Sequence, residues 1–304
     1  MVVIMVDRSM QGLYPILAMP FDVEGNIDFE DLEREVEFAI DSGVDGLGIA
    51  LGSEIFKLSE SERDLVISIV VRQSRGRVKI VVNTGAQGTD LTVNYSQRAQ
   101  ELGANAVMIA PPTQVPLDGA IIREYYRMIS DAIAVPIFIQ DFSSMPVSPA
   151  LAVQISLESE NACYAKVETP PTPPRVAEAV KNAGDSLIVF GGIGGKWLIE
   201  ELHAGSVGTM PHCAVPDLMR KVIDMFQNGQ EENAEKTFNS FKPLLSVFEK
   251  ENGPSAYHLG KEVLRLRGVF KSSNARHPAI RPDDTNFRQV QTLVESLDLS
   301  NAFS

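Results

Sequence analysis

Short blocks of aliphatic residues recur along the chain at a spacing of roughly 25 to 30 residues, each followed by a segment whose apolar positions repeat at helical intervals. The blocks predict strands over 14–21, 45–51, 78–83, 106–110, 135–140, 163–168, 186–190 and 208–210. They are continuously apolar, as parallel strands are when both faces are covered. The helical segments carry readable ends. Asp28 caps a helix in which Leu32, Val36, Ala39 and Ile40 share a face, and Gly43 closes it. Ser59 and Glu62 make a capping box ahead of Leu65, Ile69 and Val70. Asp90 opens a helix that ends near Gly103, and Asp118 opens one that runs to Ile133. Asp22-Val23-Glu24-Gly25-Asn26 has the composition of a turn.

Eight strand-then-helix units predict an α/β fold, a (β/α)8 TIM barrel. An open doubly wound sheet is the rival. No Gly-x-Gly-x-x-Gly follows the first strand, which weakens its dinucleotide-binding form. After Pro216 the pattern is purely helical, over 216–227, 231–249, 255–269 and 283–297. The expected division is a barrel over 1–228 and a C-terminal helical extension over 229–304, packed on the barrel, with no low-complexity linker between them.

Composition narrows the class. The 304 residues are 44% hydrophobic and 22% charged, ordinary for a soluble globular chain. A net charge of -13 argues against nucleic acid, whose phosphates it repels, while a local pocket can still oppose it for an anionic substrate. Cys163 and Cys213 lie far apart in apolar segments and are expected as small core residues, not as a disulfide. The first ten residues lack the cationic start and long apolar core of a signal peptide. No run reaches ~20 apolar residues, so no membrane span is expected and the expected location is cytoplasmic. No Cys/His cluster points to a metal, and no cofactor is expected.

The strand over 163–168 carries the chemistry. Its alternation puts Tyr164, Lys166 and Glu168 on one face. A lysine near the end of an apolar strand either escapes to solvent, pairs with Glu168, or is held for reaction. Burial lowers an amine's pKa, and a free amine attacks ketones to form a Schiff base. In a barrel the strand C-termini converge on the active-site face. Those ends hold Gly52, Ser53 and Glu54 after the second strand, Gln140 and Asp141 after the fifth, the glycines of 191–195 after the seventh, and Met210 and His212 after the eighth. The glycine run either lets backbone approach a carboxylate or is a plain turn. Ser53 is either a donor to a substrate carboxylate or a turn residue.

Several segments together resemble one family. They are Pro20-Phe21 with Asp22 and Gly25, 48–54 followed by Leu58-Ser59 and Glu62-Arg63, Ala110-Pro111-Pro112, Val135-Pro136, and Lys166. In order and spacing the chain resembles the dihydrodipicolinate synthase / N-acetylneuraminate lyase superfamily over nearly its whole length. The resemblance implies a (β/α)8 barrel with a helical extension, a homotetramer, and a Schiff base between Lys166 and a 2-keto acid. It also implies substrate contacts at Gly52, Ser53, Glu54, Gly191, Gly192 and Met210. Where the family carries Gly-Thr-Thr-Gly-Glu, this chain has Ala50-Leu51-Gly52-Ser53-Glu54. Where the family carries a proton-shuttling tyrosine after strand five, it has Gln140. The tyrosine after strand four falls on Pro112 or Thr113, and the synthase arginine falls near Met145. Ile137 to Asp141, Lys166 to Pro170, Glu249-Lys250-Glu251-Asn252 and Arg276-His277-Pro278 resemble the L-2-keto-3-deoxyarabonate dehydratase branch. The expected activity is dehydration of a 2-keto-3-deoxy sugar acid, with Lys166, Gln140 and Glu168 as the catalytic set. A pyruvate-dependent aldolase, a dihydrodipicolinate synthase-like enzyme, and a catalytically weak 2-keto-acid binder are the alternatives.

Overall fold

Hydrogen bonding between the aliphatic blocks makes eight parallel strands, and polar caps start most of the helices between them. The computed structural model describes residues 6–250 and 254–299. The first half of the chain runs β1 (Gly12–Leu13), α1 (Phe29–Asp41), β2 (Gly46–Ile49), α2 (Glu60–Ser74), β3 (Lys79–Asn83), α3 (Thr89–Glu101), β4 (Ala106–Ile109) and α4 (Gly119–Ala132). It continues through β5 (Ile137–Asp141), α5 (Pro149–Glu158), β6 (Tyr164–Val167), α6 (Thr172–Ala183), β7 (Ile188–Gly191), α7 (Leu198–His203) and β8 (Gly208–Thr209). Four helices close it: α8 (Pro216–Gln227), α9 (Glu231–Lys250), α10 (Pro254–Leu266) and α11 (Asp284–Ser296). This is a (β/α)8 barrel with a C-terminal helical extension. Residues 1–5, on which part of the signal-peptide reading falls, lie outside the described residues, as do Glu251 and Asn252 of the branch motif. Among the described residues no helix is long and apolar enough to cross a membrane.

One local expectation is corrected. The strand expected over 14–21 is only Gly12–Leu13. Pro15 and Pro20 have no N–H to offer a ladder, and Ile16 makes isolated bridges, to Gly48 and His212. Asp90 stands in the first turn of α3, as expected of a residue that opens it; a carboxylate there complements the helix dipole, and Gly88 is the N-cap.

The chain divides into two compact units, one comprising residues up to Tyr14 with Lys79–Met210, the other Pro15–Val78 with Pro211 onward. In the first unit the strands run β1-β8-β7-β6-β5-β4-β3. Phe138 pairs in register with Tyr164, and Gln140 with Lys166, which in turn pairs with Phe190. The Phe138 and Tyr164 rings stack at 4.6 Å, and Phe190 meets both edge-on. Alternation along the strands therefore sets Gln140 and Lys166 on the same face as this aromatic layer, one step nearer the strand ends. The Tyr164 hydroxyl donates to the Asp7 carbonyl and accepts from Met10 N, which ties the N-terminal segment beneath the layer.

In the second unit, Ser59 and Glu62 form the capping box of α2. Phe38 of α1 packs with Leu264, Val269 and Phe270, and Arg267 pairs with Asp217 at 2.7 Å. Here the scattered motifs converge. The Arg276 guanidinium lies 4.6 Å over the Phe21 ring, donates to the Gly25 carbonyl at 2.8 Å and pairs with Glu62 at 2.7 Å. A bidentate arginine thus ties the Phe21–Gly25 segment to the start of α2.

Candidate active site

Lys166 is the buried cation at the C-terminal end of β6, 3% exposed. Its Nζ pairs with Glu168 Oε1 at 2.9 Å. The other oxygen, Oε2, accepts from Gln140 Nε2 at 2.7 Å. Gln140 Oε1 in turn accepts from Asn83 Nδ2 at 3.1 Å. The result is a polar chain, Asn83–Gln140–Glu168–Lys166, laid across the ends of β3, β5 and β6. Each member is oriented by the next, so the amide of Gln140 is settled by two partners of opposite hydrogen-bonding sense. Chemically, Glu168 is a carboxylate within proton-transfer distance of the Lys166 amine.

Gly191 at the end of β7 and Gly192 after it complete this side. Gly191 is in register with Val167, and Gly192 follows it. A Cβ at Gly192 would stand 3.0 Å from Lys166 Cε and 2.6 Å from Glu168 Cγ. Only glycine lets the turn close over both side chains. Met210 is buried, and its N–H donates to the Gly191 carbonyl at 3.1 Å. Gln140, Glu168, Gly191, Gly192 and Met210 therefore gather with Lys166 in one unit.

Asp141, next to Gln140, points the other way and fixes the loop after β5. It accepts from Val147 N at 2.9 Å, from the Thr169 hydroxyl at 2.7 Å and from Arg175 Nη2 at 2.9 Å. Arg175 Nη2 also donates to the Val147 carbonyl at 2.8 Å. The clamp holds the ends of β5 and β6 together beside Lys166 and Glu168.

Three tyrosines of this unit, Tyr125, Tyr126 and Tyr164, are engaged elsewhere. Tyr126 donates to the Ile109 carbonyl at 2.6 Å, and burial pushes its hydroxyl well above the ordinary range. Tyr125 bonds Thr92 at 2.9 Å, and burial pushes it up to about 12. Tyr164 is bonded to Asp7 as described. These three phenols are poor proton carriers near neutral pH.

Gly52, Ser53 and Glu54 belong to the second unit. The Ser53 hydroxyl donates to the Leu17 carbonyl at 2.5 Å and accepts from Ala50 N at 3.1 Å, so its one proton is already engaged. Glu54 is fully buried with left-handed backbone, φ 52°, and pairs with Lys57 at 2.7 Å and with Lys261 of α10. Lys261 also donates to the Asn274 carbonyl at 2.9 Å, and burial pushes its amine down to about 8. A Cβ at Gly52 would meet Ile16 Cγ2 at 3.1 Å. His212 lies edge-on to Phe248.

Both cysteines are free and buried, and burial raises the Cys163 thiol to about 11. Among the described residues no group of three or more His, Cys, Asp or Glu side chains is placed to hold a metal ion. Sequence reading missed Asn83, whose one signal was a polar residue ending an apolar strand. It also missed Arg175, which gave none.

The chain is similar to known proteins over most of its length. The model of the dihydrodipicolinate synthetase family matches residues 9–297. The chain is 32% identical to an L-2-keto-3-deoxyarabonate dehydratase of Azospirillum brasilense, over 90% of each protein. It is 26% identical to a 4-hydroxy-tetrahydrodipicolinate synthase of Aquifex aeolicus, over 80% of this chain and 84% of that protein. Among solved structures, the dihydrodipicolinate synthase of Rhodopseudomonas palustris superposes with a TM-score of 0.88 at 25% identity, covering 96% of this chain and 99% of that one.

Proposed function

The chain belongs to the dihydrodipicolinate synthetase family, and from that membership we propose a Schiff-base lyase that dehydrates a 2-keto-3-deoxy sugar acid such as L-2-keto-3-deoxyarabonate. The observation that carries the reading is the Glu168 carboxylate, bonded at once to Lys166 and to Gln140.

Lys166 passes a proton to Glu168, and the freed amine attacks the C2 ketone of the substrate. Loss of that oxygen as water leaves an iminium, which acidifies the C3 protons. Glu168, once its proton has left with that water, takes one of them and an enamine forms. The enamine expels the C4 hydroxyl, which leaves as water with the proton Glu168 returns. Hydrolysis of the imine consumes one water and restores Lys166, so the net change is loss of one water. Gln140 holds a substrate hydroxyl without removing its proton, because an amide is neither acid nor base near neutral pH. Aldol cleavage needs that proton removed, so this set favours dehydration.

The substrate carboxylate rests on the Gly191–Gly192 turn beside Met210. In the turn after β2 we propose Gly52 as a contact, with Ser53 and Glu54 fixing the turn's shape. Family membership also leads us to propose a homotetramer and a cytoplasmic location, and we keep 1–228 as barrel and 229–304 as extension. Light scattering tests the assembly, and a monomer at micromolar concentration counts against it.

The reaction is tested by incubating the protein with several 2-keto-3-deoxy sugar acids. A five-carbon acid should give the C3–C4 alkene, which becomes 2-oxoglutarate semialdehyde when a proton shifts from C5 to C3 and the resulting enol ketonises, and this is read with a coupled dehydrogenase. Pyruvate plus an aldehyde, with no dehydrated product, would mean an aldolase.

A further inference from the structure

We propose that Glu201 is a positioning residue for the Lys166–Glu168 pair, acting through the Gly191–Gly192 turn. The argument rests on the reading of Lys166 as the imine-forming lysine. Glu201 lies on α7 and is fully buried. Its Oε1 accepts from the Thr172 hydroxyl at 2.5 Å, at the start of α6. Its Oε2 is buried with no hydrogen-bond partner.

Gly191, the last residue of β7, and Gly192 after it face opposite ways, as successive residues of a strand do. A Cβ on Gly191 would run into the Glu201 carboxyl, whereas one on Gly192 would run into Lys166 and Glu168. The missing side chain of Gly191 is thus replaced by the Glu201 carboxyl, and that of Gly192 by the catalytic pair. A shift of the carboxyl moves the turn, and the turn is in contact with the stem of Lys166.

The electrostatics favour the neutral acid. Burial raises the Glu201 carboxyl to about 7, with the Thr172 hydroxyl and the Gly192 amide working in the opposite direction. The charged groups acting on it are Glu200 of its own helix and Glu168 from the end of β6, and both disfavour a second negative charge. Ionisation of Glu201 would therefore place a buried anion behind the turn that carries Lys166.

The test measures Lys166 directly. The full-length protein is labelled with an amine-reactive reagent across pH 5.5–9, and the Lys166 peptide is quantified by mass spectrometry. In parallel, imine formation with pyruvate is trapped by borohydride. Wild-type labelling of Lys166 should change slope near neutral pH. Glu201→Gln should keep the trapping rate near wild type and lose that slope change. Glu201→Ala should slow trapping by about 10²-fold, the scale of a misplaced reacting group. Glu201→Asp, which keeps the acid but shortens the side chain, covers the case in which the alanine variant fails to fold. Unchanged labelling and trapping in Glu201→Ala or Glu201→Asp would overturn the proposal, as would a Gln variant as impaired as the Ala variant. If wild type forms no imine, the Lys166 reading falls, while the labelling profiles still decide whether Glu201 acts on Lys166.

Discussion

Gln140 and Lys166 stand opposite one another in register on β5 and β6, and both bond the Glu168 carboxylate, at 2.7 and 2.9 Å. The amide therefore donates to the carboxylate while accepting from Asn83, and it does so without a proton that can be exchanged near neutral pH. Gln140→Leu removes both bonds, one to the buried Asn83 amide and one to the partly buried Glu168 carboxylate. We expect a loss of about 1–3 kcal/mol in unfolding free energy, and dehydration slowed by about 10²-fold if Gln140 orients Glu168 for proton transfer. Pyruvate trapping on Lys166 should persist in that variant, because the amine remains. Full dehydration activity in Gln140→Leu would remove Gln140 from the mechanism.

Borohydride reduction in the presence of pyruvate should label the Lys166 peptide, and Lys166→Met should abolish the label. Lys261 is the internal control. Burial depresses its amine to about 8, but its Nζ is held by Glu54 and the Asn274 carbonyl within its own unit. Peptide mapping that finds the label on Lys261, or on neither lysine in active protein, would reject the assignment.

Arg175→Ala should destabilise the loop after β5. It strips a buried carboxylate, Asp141, of its cationic partner and leaves the Val147 carbonyl without its donor. The expected cost is about 2 kcal/mol, below the range for a fully buried pair because Arg175 is partly exposed. Urea unfolding measures it. Arg175→Lys should recover only part, since a single ammonium cannot reproduce the forked contact. A midpoint equal to wild type in the alanine variant would show that the clamp is dispensable.

Glu35 makes stability depend on pH in the unusual direction. It is fully buried, accepts from Ala18 N at 2.8 Å, and burial raises its carboxyl from 4.5 to about 8. Between those values the folded state holds a proton that the unfolded chain has lost. Stability from this group is therefore complete below about pH 4.5, falls as pH rises, and levels off above about 8. The slope is at most about 1.4 kcal/mol per pH unit. Glu35→Gln keeps the acceptor for Ala18 and removes the titration. Its melting temperature relative to wild type should climb steadily from pH 5 to pH 8. A constant difference across that range would mean that Glu35 does not titrate there.

The sequence alone determined the alternation of strands and helices, hence the barrel, and it set Lys166 and Glu168 on one strand face two residues apart. These are local properties: the period of an apolar block, a cap, a proline stop. The glycines at 191 and 192 were visible as a turn for the same reason. Tertiary structure alone decided what those residues touch. Glu54 meets Lys261 across 207 positions, Arg276 meets Glu62 across 214, and Asn83 meets Gln140 across 57. Glu201 stands beside Gly191 only because α7 packs back on β7. Such pairings are created by chain folding between distant segments, so no window of local sequence contains both partners. The same limit explains why Ser53 was open as a carboxylate donor in the sequence, whereas in the fold its proton is already given to Leu17.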